Sequence, residues 1–138
     1  MTERKIIIIG RHDLTDRQKA LLRTAFGDYT IVGKIHTVDP NDNSIIEALN
    51  KADAVVVQAL PIDVLAKLNA KVKTPIYMFK IVPLGVLKTK EAVEVAKKEG
   101  ADIVNIDPRT GNARVAMTVS LDLVEEVKVV TKPVVTLD

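Results

Sequence analysis

Residues 5–18 read KIIIIGRHDLTDRQ, and this segment carries the clearest indication of the fold class of this protein. The four consecutive isoleucines after Lys5 are typical of a strand that is buried on both faces of a parallel sheet. A short loop from Gly10 to Leu14 follows the strand. Thr15 and Gln18 then stand at the spacing of a capping box, which marks the start of a helix. The segment therefore predicts a strand, a loop and a helix, the first part of a parallel crossover unit.

The rest of the chain repeats this alternation of strand and helix. Strands are predicted at residues 29–35, 53–58, 75–82, 101–106 and 113–119, and helices at about 15–26, 45–49, 61–68, 88–99 and 121–128. The last two strands flank DPRTGN at residues 107–112, a strong turn signal that predicts a hairpin. No repeat or linker divides the chain. We therefore expect one α/β domain spanning residues 1–138, Rossmann-like and three-layered, with a mainly parallel central sheet and a C-terminal hairpin or edge extension.

The composition excludes several classes of protein. The chain has 138 residues, of which 47% are hydrophobic, and it has no cysteine, so it can build a core but no disulfide, thiolate metal site or cysteine nucleophile. A net charge of +2 lacks the basic bias of a protein that binds duplex DNA. The apolar runs are too short to span a bilayer or to act as a signal peptide. We expect no duplex DNA partner, no membrane contact and a cytoplasmic location.

Familiar cofactor and metal fingerprints are missing. A single glycine follows the first strand instead of the three that bind a dinucleotide, and there is no Walker A sequence. A phospho-acceptor receiver domain would end its third strand with an aspartate, where Gln58 stands here. His12, His36 and the carboxylates lack the spacing of a metal site. We therefore expect no cofactor and no metal.

Ligands on parallel sheets bind outside the carboxyl ends of the strands, which selects the loops Gly10–Thr15, Gln58–Pro61 and Lys80–Gly85. In the first loop, Arg11 could bind a phosphate through its forked guanidinium, and His12 could donate or shuttle a proton. The amides at the start of the following helix favour an anion. The alternative is that the loop only caps its helix and that Arg11 is solvated.

Three further polar side chains have two interpretations each. Gln58 could read a base edge or a ribose, or it could hydrogen-bond the loop backbone. Lys80 lies in an apolar strand, where it could bind phosphate or extend from the sheet end into solvent. His36 could reach the crevice or be an ordinary loop residue. The polar side chains near the hairpin are expected to be turn or solvated edge residues: Arg109, Thr110 and Arg114.

Three segments together suggest a family: HDLTDRQ at residues 12–18, VQALP at 57–61 and PIYMFKIVP at 75–83. In this order they resemble the small stand-alone CRISPR-associated proteins related to the CARF (CRISPR-associated Rossmann) sensor domains, several of which are ring nucleases. The resemblance covers roughly residues 5–83. The helix at 88–99 and the strand after it look like additions to the smallest members.

The resemblance implies a function. Such proteins bind cyclic oligoadenylate second messengers at a homodimer interface and cleave them without metal, which switches off type III CRISPR signalling. A ribose 2′-hydroxyl would attack the adjacent phosphate, with Arg11, Lys80 and the helix amides from Thr15 on the phosphates and His12 transferring a proton. The implied catalytic residues are His12, Arg11 and Lys80. The implied ligand-binding residues are Gly10, Thr15, Gln18, Gln58, Ala59 and Pro83. The expected partners are cyclic tetra-adenylate and a second copy of the chain.

Other functions stay open at this point. The same pocket could serve a non-catalytic sensor of a cyclic oligonucleotide that regulates a partner. A glycosidase on a similar sheet would need a glutamate nucleophile in the crevice, and no predicted strand ends in one. A purely structural or interaction protein would bind no small molecule.

Overall fold

The computed structural model describes residues 3–127 and residue 134. Strands and helices alternate through most of this range. The elements are β1 (Arg4–Ile9), α1 (Asp16–Phe26), β2 (Tyr29–Ile35), α2 (Asn43–Lys51), β3 (Ala54–Val57), α3 (Ile62–Lys71), β4 (Ile76–Leu87), α4 (Lys90–Lys98), β5 (Ile103–Ile106) and β6 (Ala113–Leu123).

The strands form one six-stranded mixed sheet in the order β2-β1-β3-β4-β6-β5. The first four strands of the chain pair in parallel, with β1 between β2 and β3 and with β3 beside β4. β6 runs antiparallel to both of its neighbours, β4 and β5. The predicted α/β class and the C-terminal hairpin are confirmed. The hairpin contributes two full strands, so the sheet is mixed.

The isoleucine run of β1 is buried from both sides, as predicted. Ile7 and Ile9 pack against α2 and α3, whereas Ile6 and Ile8 pack against α1 on the other face. None of the four side chains is more than 7% exposed. Since each buried side chain of this size contributes about 1.5–3 kcal/mol relative to an exposed one, β1 stabilises the core on both faces of the sheet.

β4 is longer than predicted, and this corrects one of the three expected loops. The segment Lys80–Gly85 lies inside β4, where it pairs with β6 from Ser120 to Val115. The prediction ended the strand at about Val82, and the next residue, Pro83, lacks a donor for the strand ladder. The structure accommodates it with a register shift between Pro83 and Gly85. Backbone hydrogen bonding to β6, a strand far along the chain, therefore extends β4 to Leu87.

The predicted last helix at residues 121–128 is wrong. Leu121–Leu123 is the end of β6, and residues 124–127 form neither helix nor strand. Apolar residues that suggested a helix are partly buried on the two faces of the sheet instead. Leu121 packs on the α1 side, and Val124 packs on the opposite side. Lys128 and the tail from Val129 to Asp138, apart from residue 134, lie outside the described residues.

Smaller differences concern element ends. Pro61 precedes α3 as its N-cap and is not its first helical residue. The helix predicted at 88–99 is α4, which begins at Lys90 after the capping side chain of Thr89. Among the helices described, none has the length and apolar character needed to cross a bilayer.

Candidate functional site

A cavity of about 510 Å³ opens at the carboxyl ends of β1, β2 and β3. It is lined by residues 10–12, 36–38 and 58–61, together with Val64 of α3. The chain leaves β1 toward β2 and leaves β3 toward β4, in opposite directions along the sheet. The cavity therefore lies at a topological switch point, where ligands of open α/β sheets bind. Its volume falls within the range of about 300–1,000 Å³ of small-molecule sites.

Gly10 lets the two central loops of the cavity approach each other. The Gln58 side chain lies against its α-carbon, and a β-carbon at residue 10 would be 2.0 Å from Oε1 of Gln58 and 2.7 Å from its Cβ. Gly10 does not have a positive φ. Glycine is needed here for the close approach, and its conformational freedom is not the reason.

Gln58 uses its amide to hold the backbone of His12. Its Nε2 donates to the His12 carbonyl at 2.8 Å, and its Oε1 accepts from the His12 N–H at 3.3 Å. Of the two interpretations left open by the sequence, the structure shows the hydrogen bond to loop backbone. Because both polar atoms of the amide are engaged, Gln58 acts on the site by positioning the loop that carries His12.

Lys34 of β2 is a second support of the same loop, and the sequence did not predict it. Its ammonium donates to the His12 carbonyl at 2.8 Å and lies 3.5 Å from the Asp13 carboxylate. The pairing of β1 with β2 brings Lys34 beside Ile8, one strand over. A lysine inside a strand carries no local signal for this contact, which depends on strand order.

Three ionisable side chains share the cavity: Arg11, His12 and His36. All three are exposed, so they are accessible to a ligand. Within residues 3–127, no carboxylate forms an ion pair with Arg11, and its guanidinium is available for an anion. The sequence predicted the first two side chains and left His36 with two interpretations.

The rest of the lining is mostly apolar. Val38, Leu60, Pro61 and Val64 form walls around the polar residues, and Ala59 also lines the cavity. Apolar walls with a few convergent polar groups are typical of sites for small organic ligands.

Thr15 and Gln18 are occupied by structural contacts. The capping box is confirmed: the Thr15 hydroxyl accepts from the Gln18 N–H, and the Gln18 side chain accepts from the Thr15 N–H. The Thr15 hydroxyl also donates to Asp102 at 2.5 Å, and the buried Gln18 amide donates to Thr118 at 3.1 Å. Neither residue lines the cavity of Arg11.

Asp102 brings a negative charge to the start of α1. Its carboxylate accepts from the Thr15 hydroxyl and from the N–H and hydroxyl of Thr118. Asp16 adds a second carboxylate in the first turn. These negative charges already interact favourably with the helix dipole, so they oppose a phosphate at the same place. Thr15 and Gln18, which were expected to contribute to ligand binding, therefore fasten α1 to the sheet.

Lys80 and Pro83 lie apart from the cavity within one subunit. Lys80 is exposed and pairs with Ser120. Pro83 lines a separate shallow groove with Val86 and Ile103 on the β4–β6–β5 part of the sheet. Both positions follow from the extension of β4, because the segment Lys80–Gly85 was expected to be a loop and is part of the strand.

The polar residues of the hairpin turn make local contacts. In the hairpin turn, the Arg109 N–H donates to Asp107 and the Thr110 hydroxyl accepts from Asn112, as expected of turn residues. Among residues 3–127 and 134, no group of three or more histidine and carboxylate side chains could hold a metal ion.

Comparisons of the chain with protein-family models, with curated proteins and with solved structures find no match.

Proposed function

We propose that this protein binds a cyclic oligoadenylate, with cyclic tetra-adenylate as the first candidate, and cleaves it without a metal ion. The observation that carries the proposal is the convergence of Arg11, His12 and His36 on one cavity at the switch point of the sheet. A guanidinium for a phosphate and an imidazole for proton transfer are what such a reaction requires. The resemblance of residues 5–83 to CARF-related proteins supports the same ligand.

We propose further that the domain is Rossmann-like and three-layered. α1 packs on one face of the sheet, and α2 and α3 pack on the other. Helices on both faces of a parallel centre support a Rossmann-like three-layer domain of CARF type, with β6 and β5 as its extension.

The size of the cavity supports a homodimer. A volume of about 510 Å³ suits about one nucleotide, whereas a ring of four adenylates is several times larger. A two-fold axis would place two cavities against one symmetric ring, each subunit binding an equivalent part. Lys80 and Pro83, outside the cavity of their own subunit, would contribute only if this arrangement brought them to the ring.

The reaction would be an attack of a ribose 2′-oxygen on the adjacent phosphorus. The 2′-oxygen–phosphorus bond forms and the phosphorus–5′-oxygen bond breaks, which leaves a 2′,3′-cyclic phosphate and a 5′-hydroxyl. Arg11 would stabilise the extra negative charge on the phosphate oxygens. His12 would transfer a proton, and Gln58 and Lys34 would keep its loop in place. Such an enzyme would act in the cytoplasm and switch off type III CRISPR signalling.

A non-catalytic sensor is the second candidate, and one observation favours it. Arg11 is the only lysine or arginine among the residues that line the cavity in the described part of the chain. A site with one cation can bind a ring but stabilises a developing dianion less than a site with two. In a sensor, the same residues would contact the ligand without turnover.

The deciding experiment is incubation of the purified protein with cyclic tetra-adenylate, followed by chromatography. Linear products that end in a cyclic phosphate, formed equally with and without a chelator, support the nuclease. Ring that is bound but never cut supports the sensor. Light scattering is the companion measurement, and a monomer both with and without ring would contradict the shared site. If hexameric and trimeric rings also neither bind nor react, the cyclic oligoadenylate proposal fails in both forms.

A further inference from the structure

The chain has two histidines, and the fold brings both to one cavity. His12 follows β1 and His36 follows β2. Two hydrogen bonds join these strand ends: the Gly10 N–H donates to the Ile35 carbonyl at 2.9 Å, and the Lys34 ammonium donates to the His12 carbonyl at 2.8 Å. The two imidazoles therefore stand on adjacent loops with linked backbones.

Neither imidazole has a structural task in the described part of the chain. Both residues are exposed, and no hydrogen bond or ion pair within residues 3–127 involves either ring. The backbone of His12, by contrast, is held by Gln58 and Lys34. The loop is thus ordered while its imidazole stays available, an arrangement that suits a reacting group better than a packing residue.

The chemistry of the proposed cleavage needs two proton transfers. The attacking 2′-hydroxyl must lose a proton, and the departing 5′-oxygen must gain one. In an in-line displacement the two oxygens lie on opposite sides of the phosphorus, so a separate group at each oxygen suits the two transfers. Arg11 lies in the same lining as both histidines, so the cavity holds one group for the phosphate and one for each end of an in-line displacement.

We propose that His36 is the second catalytic group of this site and that His36 and His12 divide the roles of general base and general acid. This rests on the proposed nuclease function. One neutral imidazole takes the 2′-proton as the 2′-oxygen–phosphorus bond forms. The other, as imidazolium, gives its proton to the 5′-oxygen as the phosphorus–oxygen bond breaks. Each imidazole ends in the protonation state in which the other began, and proton exchange with water restores both.

The test compares two rings under single-turnover conditions: cyclic tetra-adenylate and its analogue with sulfur in place of each bridging 5′-oxygen. A thiolate leaves without a proton, so the analogue does not require the general acid. We expect His36→Ala and His12→Ala each to slow cleavage of the oxygen ring by about 10²–10⁴-fold, while affinity stays within a few-fold. On the sulfur ring, one variant should recover a rate near that of wild type and the other should not.

The controls separate this inference from the function on which it rests. Lys97→Ala, on the exposed face of α4, should cleave both rings like wild type. Wild-type rates on the oxygen ring from His36→Ala would overturn the role of His36 and leave the nuclease proposal intact. An equal response of both variants to sulfur would overturn the division of roles. A wild type that cuts neither ring would instead refute the nuclease itself.

Discussion

The amide of Gln58 occupies the space that a β-carbon on Gly10 would need: that atom would lie 2.0 Å from Oε1 of Gln58. The residue after β1 must therefore be a glycine if the residue after β3 is to reach the backbone of His12. Through this contact, two loops from different parts of the chain form one wall of the cavity.

Gly10→Ala should destabilise the protein by about 1–3 kcal/mol, the usual cost of forcing an extra carbon into a filled site. Urea unfolding would measure it. Gly33→Ala is the matched control, because a β-carbon there would meet only Ile7 Cγ1 at 3.7 Å, an ordinary contact. The double variant Gly10→Ala/Gln58→Gly lacks the obstructing side chain. The double variant should therefore be destabilised by less than the sum of the two single variants. Simple additivity would contradict the contact.

Gln58→Met should keep most of the side-chain volume and lose both hydrogen bonds to the His12 backbone. We expect a loss of about 1–3 kcal/mol in the free energy of unfolding, because each of the two hydrogen bonds contributes about 0.5–1.5 kcal/mol net. Cleavage of cyclic tetra-adenylate should fall as well, since the loop of His12 is no longer held. Full activity together with full stability would show that these two hydrogen bonds are dispensable.

Arg11→Ala should weaken binding of cyclic tetra-adenylate by about 1.5–3 kcal/mol if the guanidinium contacts a phosphate. Lys97→Ala should bind like wild type. Lys80→Ala separates two models: near wild-type affinity fits its position in β4, and a loss as large as that of Arg11→Ala would mean that a dimer brings Lys80 to the ring. Titration calorimetry measures all three, and equal affinities throughout would show that the site is misplaced.

Asp102→Ala should destabilise the attachment of α1 to β6, because the Thr15 hydroxyl and two donors of Thr118 lose their acceptor. We expect about 1–3 kcal/mol by thermal or urea unfolding, since Thr118 is buried. Asp102→Asn keeps one acceptor oxygen and should lose less. If Asp102→Ala were as stable as wild type, the carboxylate network would not be what holds the helix.

Asp42, the N-cap of α2, predicts a small dependence of stability on acid pH. Hydrogen bonds from the Ser44 hydroxyl, and then from the Ser44 backbone N–H, lower the pKa of the Asp42 carboxyl below its ordinary value of 3.8. Its ionised form is thus favoured in the folded state. The resulting stabilisation is complete above the ordinary pKa and is lost as the pH falls through the lowered one.

Asp42→Asn keeps the capping acceptor and removes the titration. The stability of wild type relative to this variant should therefore decline as the pH is lowered past 3.8, as measured by urea unfolding at a series of pH values. A difference that stays constant with pH would mean that the carboxylate does not titrate differently in the folded and unfolded chains.

The sequence alone determined those features whose cause is local. Four adjacent isoleucines can be buried only between two layers, the Thr15–Gln18 spacing satisfies the first amides of a helix, and DPRTGN closes a tight turn. Each depends on residues within a few positions of one another. For the same reason the sequence predicted a loop carrying Arg11 and His12 directly after the first strand, and that loop lines the cavity.

Which segments meet depends on contacts between distant parts of the chain. β6 pairs with β4 and carries Lys80 away from the expected crevice, β2 brings Lys34 and His36 to the loop of His12, and Asp102 binds the start of α1. These contacts join residues separated by tens of positions, and their free energy comes from strand pairing and burial that no local pattern encodes. A polar side chain such as Gln58 reads the same in sequence whether it faces a ligand or a backbone amide. The neighbouring strand determines which.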